Sequence, residues 1–331
     1  MAGLSSGFSI CRHGWRGAVR TGRPHALRQP AQFIMAKPSR YLRLMQAAIL
    51  AASLLSAPAV YALDAGAAQG LRQKYTEIKP RLASNQYGQP LYLESTEAPG
   101  QLKGEAYAVL DYPLEKVAAA LRSQQQWCDV LILHLNTKYC RAAQVNGGPG
   151  LTVYIGKKDP QELDQAYRVD FAYKAETSAD YMDVRMTAGK GPMGTSDYRI
   201  LVEAASVDER RTLLHLTYSY AYGMTGKIGM QGYLATVGAS KVGFTVTGNE
   251  GGKPSYIGGV RGVVERNTMR YYLAIDSYLK EMDAPPAEQQ ERRLRSWFGA
   301  TERYARQLRE VEREAYMEMK HAEIRRQQQP R

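Results

Sequence analysis

The sequence has no apolar run long enough to span a membrane comfortably. Its main apolar run, residues 44–55 (LMQAAILAASLL), is shorter than the roughly 20 residues that a membrane helix needs. No second apolar stretch of sufficient length follows, and no cysteine directly after the run is placed to accept a lipid. These absences predict a mature chain that neither spans a membrane nor carries a lipid anchor.

Signatures of catalysis and of metal binding are also lacking. The histidines beyond residue 62 are His134, His215 and His321, and none belongs to a nucleophile or metal-ligand motif. We expect His134, in the apolar stretch LILHLN, to be a satisfied core residue. We expect His215 to point to the outer face of its strand, because Leu216 should point inward. The sequence predicts no cofactor and no metal site.

The net charge of +12 is concentrated at one end of the chain. Residues 1–62 contain eight Arg or Lys and no acidic residue, and subtracting these eight charges leaves +4 for the remainder. The basic charge therefore belongs mostly to a leader segment. It argues against a nucleic-acid partner for the rest of the protein.

Residues 35–62 show the features of a secretory signal peptide in their usual order. Lys37, Arg40 and Arg43 form a positive region, the apolar run follows, and Val60-Tyr61-Ala62 is a small-residue cleavage site. We predict cleavage after Ala62, with Ala59 as the alternative. The expected location of the mature protein is an oxidising compartment, most simply a bacterial periplasm.

The start of the chain has two interpretations. Met35 stands directly before the positive region, so residues 1–34 are interpreted as an upstream extension from a misplaced start codon. The alternative is an unusually long leader.

Two of the three cysteines lie in the predicted mature chain. Cys11 falls in the extension, which leaves Cys128 and Cys140, separated by a short segment that can turn back. In an exported protein such a pair predicts a disulfide. The alternative is two buried free thiols.

An antiparallel sheet is predicted from segments of alternating polarity with turn-rich connections. Met182, Val184 and Met186 alternate with Asp183 and Arg185, which is the period of a strand with one buried face. Strands are predicted at 90–95, 102–111, 137–143, 150–157, 166–177, 181–188, 196–206, 211–222 and 241–247. Helices are predicted at 65–83, packing on the outside of the sheet, at 111–121 and at 125–133.

A long helix over 257–282 is expected to close this sheet. A stripe at steps of three and four defines its inner side, and a set of charged residues falls on the other side. The inner stripe comprises Val260, Val264, Asn267, Tyr271, Ile275, Tyr278 and Met282, and the charged set Glu265, Arg266, Arg270, Asp276 and Lys280.

This order of elements resembles the START-like (SRPBCC) superfamily with its helix-grip fold. The segment 112–136 looks like that family's proline-started helix followed by its Trp127-containing segment, and 258–279 looks like its closing helix. The resemblance covers residues 65–283 and rests on element order more than on a catalytic signature. It implies an α+β fold, a curved antiparallel sheet closed by a long C-terminal helix over a cavity. Family members use that cavity for sterols, phospholipids, polyketides or other apolar ligands.

The predicted inner face of the sheet is apolar but tipped with hydroxyl and sulfur groups, which suits a ligand pocket. The alternative is an ordinary filled core with tyrosine hydroxyls at its rim. The candidate ligand-binding residues are Phe171, Tyr173, Met182, Val184, Met186, Tyr198, Ile200, Tyr218, Tyr220, Tyr222, Asn267 and Tyr271. Tyr218, Tyr220 and Tyr222 are the strongest candidates, because each buried hydroxyl requires a partner.

Three polar residues of the closing helix have two interpretations each. Asn267 lies on the inner stripe, so it bonds to the sheet or faces a ligand. Arg266 and Arg270 are expected on a solvated face. Alternatively, because they are one turn apart, they receive an anionic head group at the pocket mouth.

The segment from residue 285 onward is rich in charged residues. Apolar residues recur at heptad-like steps among alternating Arg and Glu, which predicts one further amphipathic helix and a disordered end at 327–331. We expect it to dock on the body or, through residues 286–326, on an envelope protein. Transient membrane contact is a further alternative, since Trp297, Phe298 and Tyr304 are interfacial residue types.

The predicted organisation is thus an extension at 1–34, a signal peptide at 35–62, a START-like domain at 63–284 and a charged helix with its tail at 285–331. We expect a periplasmic protein that binds or transfers an apolar or amphipathic, lipid-like ligand. The alternatives are an envelope adaptor acting through the C-terminal helix and a pocket enzyme of cyclase or hydrolase type.

Overall fold

The computed structural model describes residues 58–223, 226, 232 and 241–329. The predicted extension and most of the predicted signal peptide lie outside these residues. The strands of the main sheet are β1 (Leu91–Ala98), β2 (Gln101–Leu110), β3 (Thr137–Val145), β4 (Gly148–Ile155), β5 (Tyr167–Thr177), β6 (Tyr181–Lys190), β7 (Thr195–Ser206) and β8 (Thr212–Tyr222). Single 3₁₀ turns occur at Leu163–Gln165 and Pro192–Gly194.

All eight strands form one antiparallel sheet in the order β1-β2-β8-β7-β6-β5-β4-β3. Alternation decides which side chains enter the core: on β6, Met182, Val184 and Met186 are fully buried, whereas Arg185 and Thr187 on the opposite face are exposed. The predicted strand at 241–247 is wrong. Instead β9 (Val246–Glu250) pairs only with β10 (Lys253–Tyr256), in a separate hairpin with an exposed β9.

Helix α1 (Pro58–Ala83) packs on the outer face of the sheet, as predicted. Its side chains Leu71, Ile78 and Leu82 join Tyr107 and Tyr181 in an apolar cluster on that face. The helix starts upstream of the predicted cleavage site and continues through Pro80.

Two short helices lie between β2 and β3 in the chain. Helix α2 (Leu114–Leu121) begins directly after Pro113, and α3 (Gln124–Leu131) begins with a capping box in which Ser123 and Gln126 satisfy each other's backbone N–H groups. Helix α3 carries Cys128, which is bonded to Cys140 on β3. The predicted disulfide is therefore confirmed.

The long helix α4 (Gly259–Lys280) crosses β1, β2 and β8 and closes the sheet, which confirms the predicted helix-grip arrangement. It approaches β2 closely at Gly104, where a side chain would overlap Thr268. The predicted solvated face of this helix is wrong. Glu265, Arg266, Arg270 and Asp276 are all buried, because the C-terminal segment and residues 241–245 cover that side.

The C-terminal segment forms three helices where one was predicted. These are α5 (Pro286–Glu302), α6 (Ala305–Leu308) and α7 (Arg313–Gln328). They dock on the body: Trp297 Nε1 donates to the Arg270 carbonyl at 3.1 Å, and Tyr316 Oη donates to the Leu133 carbonyl at 2.9 Å. Helix α7 continues into the end predicted to be disordered, and residues 330–331 lie outside the described part.

Buried charges fasten α7 to β3. Lys320 donates to the carbonyl groups of His134 and Thr137, at 2.7 and 2.8 Å, and pairs with Glu323 at 2.7 Å. Lys138 on β3 pairs with the same carboxylate at 3.0 Å. Among the described residues, no helix has the length and apolarity required to traverse a bilayer.

Candidate functional site

The sequence-predicted pocket residues occupy one layer beneath α4. Strands β5, β6, β7 and β8 point them to the concave face of the sheet, and α4 supplies Asn267 and Tyr271 from above. Most of the layer is buried, namely Phe171, Met182, Val184, Met186, Tyr198, Ile200, Tyr218 and Tyr220. Tyr173, Tyr222, Asn267 and Tyr271 are only partly buried.

Four tyrosine rings connect the sheet to the helix. The rings of Tyr198 and Tyr220 stack with centroids 5.3 Å apart, and Tyr218 lies 5.6 Å from Tyr220. The ring of Tyr271 on α4 is 5.2 Å from that of Tyr218 on β8. The alternating tyrosines of β8 therefore contribute to an aromatic cluster between the two layers, and part of the predicted hollow is filled by their rings.

One strip of α4 keeps accessible surface although most of the helix is buried. Val260, Val263, Asn267 and Tyr271 recur at steps of three and four, so they share one side of the helix. Burial nevertheless raises the pKa of the Tyr271 hydroxyl. Because the Tyr271 ring contacts Tyr218 on the sheet, this accessible strip faces the space between helix and sheet.

The Tyr173 hydroxyl of this layer has no hydrogen-bond partner in the part of the chain that the structure describes. It is buried on β5, and burial alone raises its pKa. An unsatisfied buried hydroxyl costs about 1–3 kcal/mol, so this group would gain from a polar atom of a ligand.

His134 carries a second such group. Its ring stacks on Tyr271 at 4.7 Å, and its Nδ1 accepts the backbone N–H of Asn136 at 3.1 Å. Burial, followed by the charge of Arg270, lowers its pKa well below the ordinary value, so the ring is neutral and Nε2 carries the proton. Among the residues that the structure describes, that N–H has no partner, so the expectation of a satisfied core histidine is wrong.

Tyr222, at the end of β8, belongs to a different feature. It lines an open cleft of about 930 Å³ together with Arg261 and the turn between β1 and β2. Arg261 crosses this cleft, with Nη2 donating to the Ser95 carbonyl at 2.9 Å. The structure thus separates Tyr222 from the buried part of the tyrosine cluster.

Glu265 forms a polar cluster that the sequence did not reveal. Its carboxylate accepts hydrogen bonds from Ser95 Oγ and Thr245 Oγ1, both at 2.6 Å, and from the backbone N–H groups of Phe244 and Thr245. These bonds hold residues 244–245 against the first half of α4. The helical period places Glu265 on a polar side, and nothing in the sequence signals that residues 241–245 cover it.

The two arginines of α4 differ in their partners. Arg270 pairs with Glu310 at 2.9 Å and donates to the Leu308 carbonyl. Arg266, one turn earlier, is 2% exposed, and its one hydrogen bond to a described residue runs from Nη1 to the Val242 carbonyl at 3.3 Å.

His215 points to the outer face, as expected, and lies apart from the pocket layer. It bridges Glu203 and Glu105 at 2.9 and 3.1 Å beneath α1. In the part of the chain that the structure describes, no group of three or more His, Cys, Asp or Glu is arranged to hold a metal ion.

No protein-family model matches the sequence, and the search of curated proteins found no match. Solved structures that resemble the chain include a START superfamily protein from Mycobacterium smegmatis, 11% identical, with 40% of this chain and 91% of that one covered and a TM-score of 0.28. Human STARD10 is 9% identical, with 49% and 74% covered and a TM-score of 0.30. A norcoclaurine synthase from Thalictrum flavum is 12% identical, with 42% and 75% covered and a TM-score of 0.27.

The class of fold is given by the molecule itself: an eight-stranded antiparallel sheet gripped by a long C-terminal helix, an α+β helix-grip architecture.

Proposed function

We propose that this chain is a binding protein that holds an apolar or amphipathic, lipid-like ligand between the concave face of the sheet and α4. The accessible strip on α4 is the main support. Val263, Asn267 and Tyr271 keep accessible surface there, opposite Tyr218 on the sheet. Apolar walls with a few convergent polar groups are typical of small-molecule sites.

The unsatisfied polar groups support a ligand with polar atoms as well as an apolar body. The hydroxyl of Tyr173 and the Nε2–H of His134 are buried without partners. A ligand oxygen that accepts from either group would remove its desolvation cost. A ligand without polar atoms would leave that cost in place.

Filling the space beneath α4 tests this proposal. The protein is purified from the periplasm under non-denaturing conditions and analysed by native mass spectrometry, with Asn267→Trp beside the wild type. Asn249→Trp is the matched control, because Asn249 lies on the exposed strand β9. We expect lipid-like mass on the wild type and the control, and at least a tenfold lower bound fraction in Asn267→Trp.

Two results would contradict the binding function. One is equal retention by Asn267→Trp and the wild type. The other is a wild type that carries nothing and takes up no N-phenyl-1-naphthylamine, an uncharged apolar fluorophore. Circular dichroism of each variant shows whether the fold is intact.

We also propose that the protein acts in the periplasm after removal of residues up to 62. The leader features and the Cys128–Cys140 disulfide support this location, since disulfides persist in oxidising compartments. Amino-terminal sequencing of protein recovered from the periplasmic fraction should begin at Leu63. Recovery of uncleaved chain from the cytoplasm would overturn the proposal.

The envelope-adaptor alternative receives less support. Large apolar residues of the segment 286–326 are packed within the molecule: Leu294, Trp297 and Tyr316 are each 2% exposed or less. A partner would have to bind the charged outer surface of α5 and α7 or displace these helices.

A further inference from the structure

Arg266 is a buried cation, and the described residues fill little of its hydrogen-bonding capacity. A guanidinium has five N–H donors in a planar fork. The side chain is 2% exposed, and the bond from Nη1 to the Val242 carbonyl fills one donor. Burying an arginine in this way is costly unless an anion completes the fork.

The chain supplies no carboxylate for this position. Among the described residues, no Asp or Glu lies within ion-pair distance of Arg266, in contrast to Arg270, which has Glu310. The sequence between Gly223 and Lys241 contains no acidic residue. Glu265, the preceding residue on α4, already accepts from four donors of Ser95, Phe244 and Thr245.

Arg266 follows Val263 by three residues on α4, so its side chain leaves the helix beside the accessible strip. Burial raises the pKa of Tyr220, and the positive charge of Arg266 acts in the opposite direction. Tyr220 stacks on Tyr198 in the layer beneath α4. An anionic group bound by Arg266 would therefore sit at the edge of an apolar and aromatic wall.

We propose that the ligand is an anionic amphipath and that Arg266 binds its acidic group, a carboxylate or a phosphate, through two parallel N–H···O bonds. This inference rests on the proposed binding function and specifies its ligand class. An arginine guanidinium can donate two parallel hydrogen bonds to two oxygens of a carboxylate or a phosphate. Such binding would use donors for which the described residues supply no acceptor.

The test uses displacement of N-phenyl-1-naphthylamine from the full mature chain by oleic acid and by its methyl ester. The two competitors have the same apolar body and differ in charge. We expect oleic acid to displace the fluorophore at a concentration about tenfold or more below that of the ester, as a charged hydrogen-bonded pair implies. In Arg266→Gln this preference should disappear, whereas Arg199→Gln, an exposed arginine on β7, should retain it.

A second pair of competitors distinguishes the source of the anion. Oleoyl lysophosphatidic acid and monooleoylglycerol differ by a phosphate, and a larger preference in this pair than in the first indicates a phospholipid-type ligand. The reverse result indicates a fatty acid. Either result supports the proposal.

The failures of the two proposals are distinguishable. A wild type that does not bind the fluorophore overturns the binding function and this inference together. A wild type that binds it but treats acid and ester alike, or Arg266→Gln that keeps the preference, overturns the role of Arg266 alone. If Arg266→Gln does not fold, Arg266→Lys keeps the charge without the fork and should lose most of the preference.

Discussion

Arg270 in the middle of α4 donates to Glu310, which lies between α6 and α7, with 2.9 Å between Nη2 and Oε1. Glu310 also pairs with Lys158, between β4 and β5, at 2.7 Å, and with Lys241 at 3.5 Å. The C-terminal segment is thus tied by one buried carboxylate to the closing helix and to two loops. It acts as part of the body and covers the side of α4 that faces away from the sheet.

Replacing Glu310 by Gln should destabilise the fold by about 3 kcal/mol, because it leaves the positive charge of Arg270 buried without its carboxylate. Burial alone would raise the pKa of Glu310, but Arg270 and Lys158 outweigh it and lower that pKa. The carboxylate is therefore charged at neutral pH. Urea unfolding measures the change, and Glu312→Gln, whose carboxylate pairs with Arg309 in solvent, should unfold at the wild-type midpoint. Equal midpoints for both variants would contradict this role.

Gly104 on β2 sets how closely α4 approaches the sheet. A Cβ at this position would overlap the Thr268 hydroxyl and lie 3.2 Å from Thr268 Cβ. We expect Gly104→Ala to cost about 1–3 kcal/mol, since the helix must shift or strain. Gly189→Ala on β6, where a Cβ meets nothing within 4 Å, is the matched control and should be nearly neutral.

A double-mutant cycle separates this clash from a general effect of alanine. Thr268→Ala removes the group that Gly104→Ala would strike, so the pair should be more stable than the sum of the two single changes predicts. Additive free energies of unfolding would show that close approach at Gly104 is not the cause.

The strands could be predicted from the sequence because polar and apolar residues alternate, with a period of two, along a half-buried strand. Met182, Val184 and Met186 point to the concave face as predicted, and so do the tyrosines of β8. The helix α4 was found by its own period, within two residues at each end. These features depend on neighbours in sequence, which a pattern records.

The charged side of α4 was mispredicted because its surroundings come from distant parts of the chain. Glu265 is covered by residues 244–245 and Arg270 by residues 308–310. A helical period separates polar from apolar residues, but it does not tell a solvated face from one closed by buried ion pairs. The contrast between Arg266 and Arg270 is likewise visible only when the partners are placed in space.

The Cys128–Cys140 bond joins α3 to β3, and its two residues are 1% exposed or less. For the sequence separation of 12 between the two cysteines, the chain-entropy relation gives a stabilisation of about 3 kcal/mol. Replacing both residues by Ala should lower the free energy of unfolding by about this amount in urea. Dithiothreitol should leave the native bond intact and reduce it once urea opens the fold. An unchanged midpoint in the double variant, or rapid reduction without urea, would contradict this assignment.

His215 on β8 makes stability depend on pH. Burial would lower its pKa, but the hydrogen bonds with Glu105 and Glu203 outweigh it and raise the pKa above the ordinary value. Burial would likewise raise the pKa of Glu105, but the bonds from His215 and Lys103 lower it to about 2. The pKa of Glu203 is also lowered against the effect of burial, by hydrogen bonds from His215 and Tyr181.

Other charged and titratable groups also face this cluster. Lys74 of α1 lies over the ring of Tyr107, which stacks on His215 at 4.1 Å. On β6, Asp183, next to Glu203 in the sheet, pairs with Arg185.

The direction of the pH dependence follows from these shifts. A histidine with a raised pKa stabilises the fold fully below its unfolded value of 6.5 and loses this contribution as pH rises through the folded value. Carboxylates with lowered pKa values contribute fully above their unfolded value of 4.5 and lose it as pH falls towards the folded values. The cluster should therefore stabilise the protein most between these two limits.

The His215→Gln variant should lose the part of the decline in stability that the wild type shows above pH 6.5. Urea midpoints measured at intervals from pH 4 to pH 9 give both curves. His321→Gln, at a half-exposed partner of Glu291, should keep the wild-type slope in that range, because the change leaves the cluster on β8 intact. Parallel curves for wild type and His215→Gln above pH 6.5 would show that the imidazole between Glu105 and Glu203 does not change its protonation on unfolding.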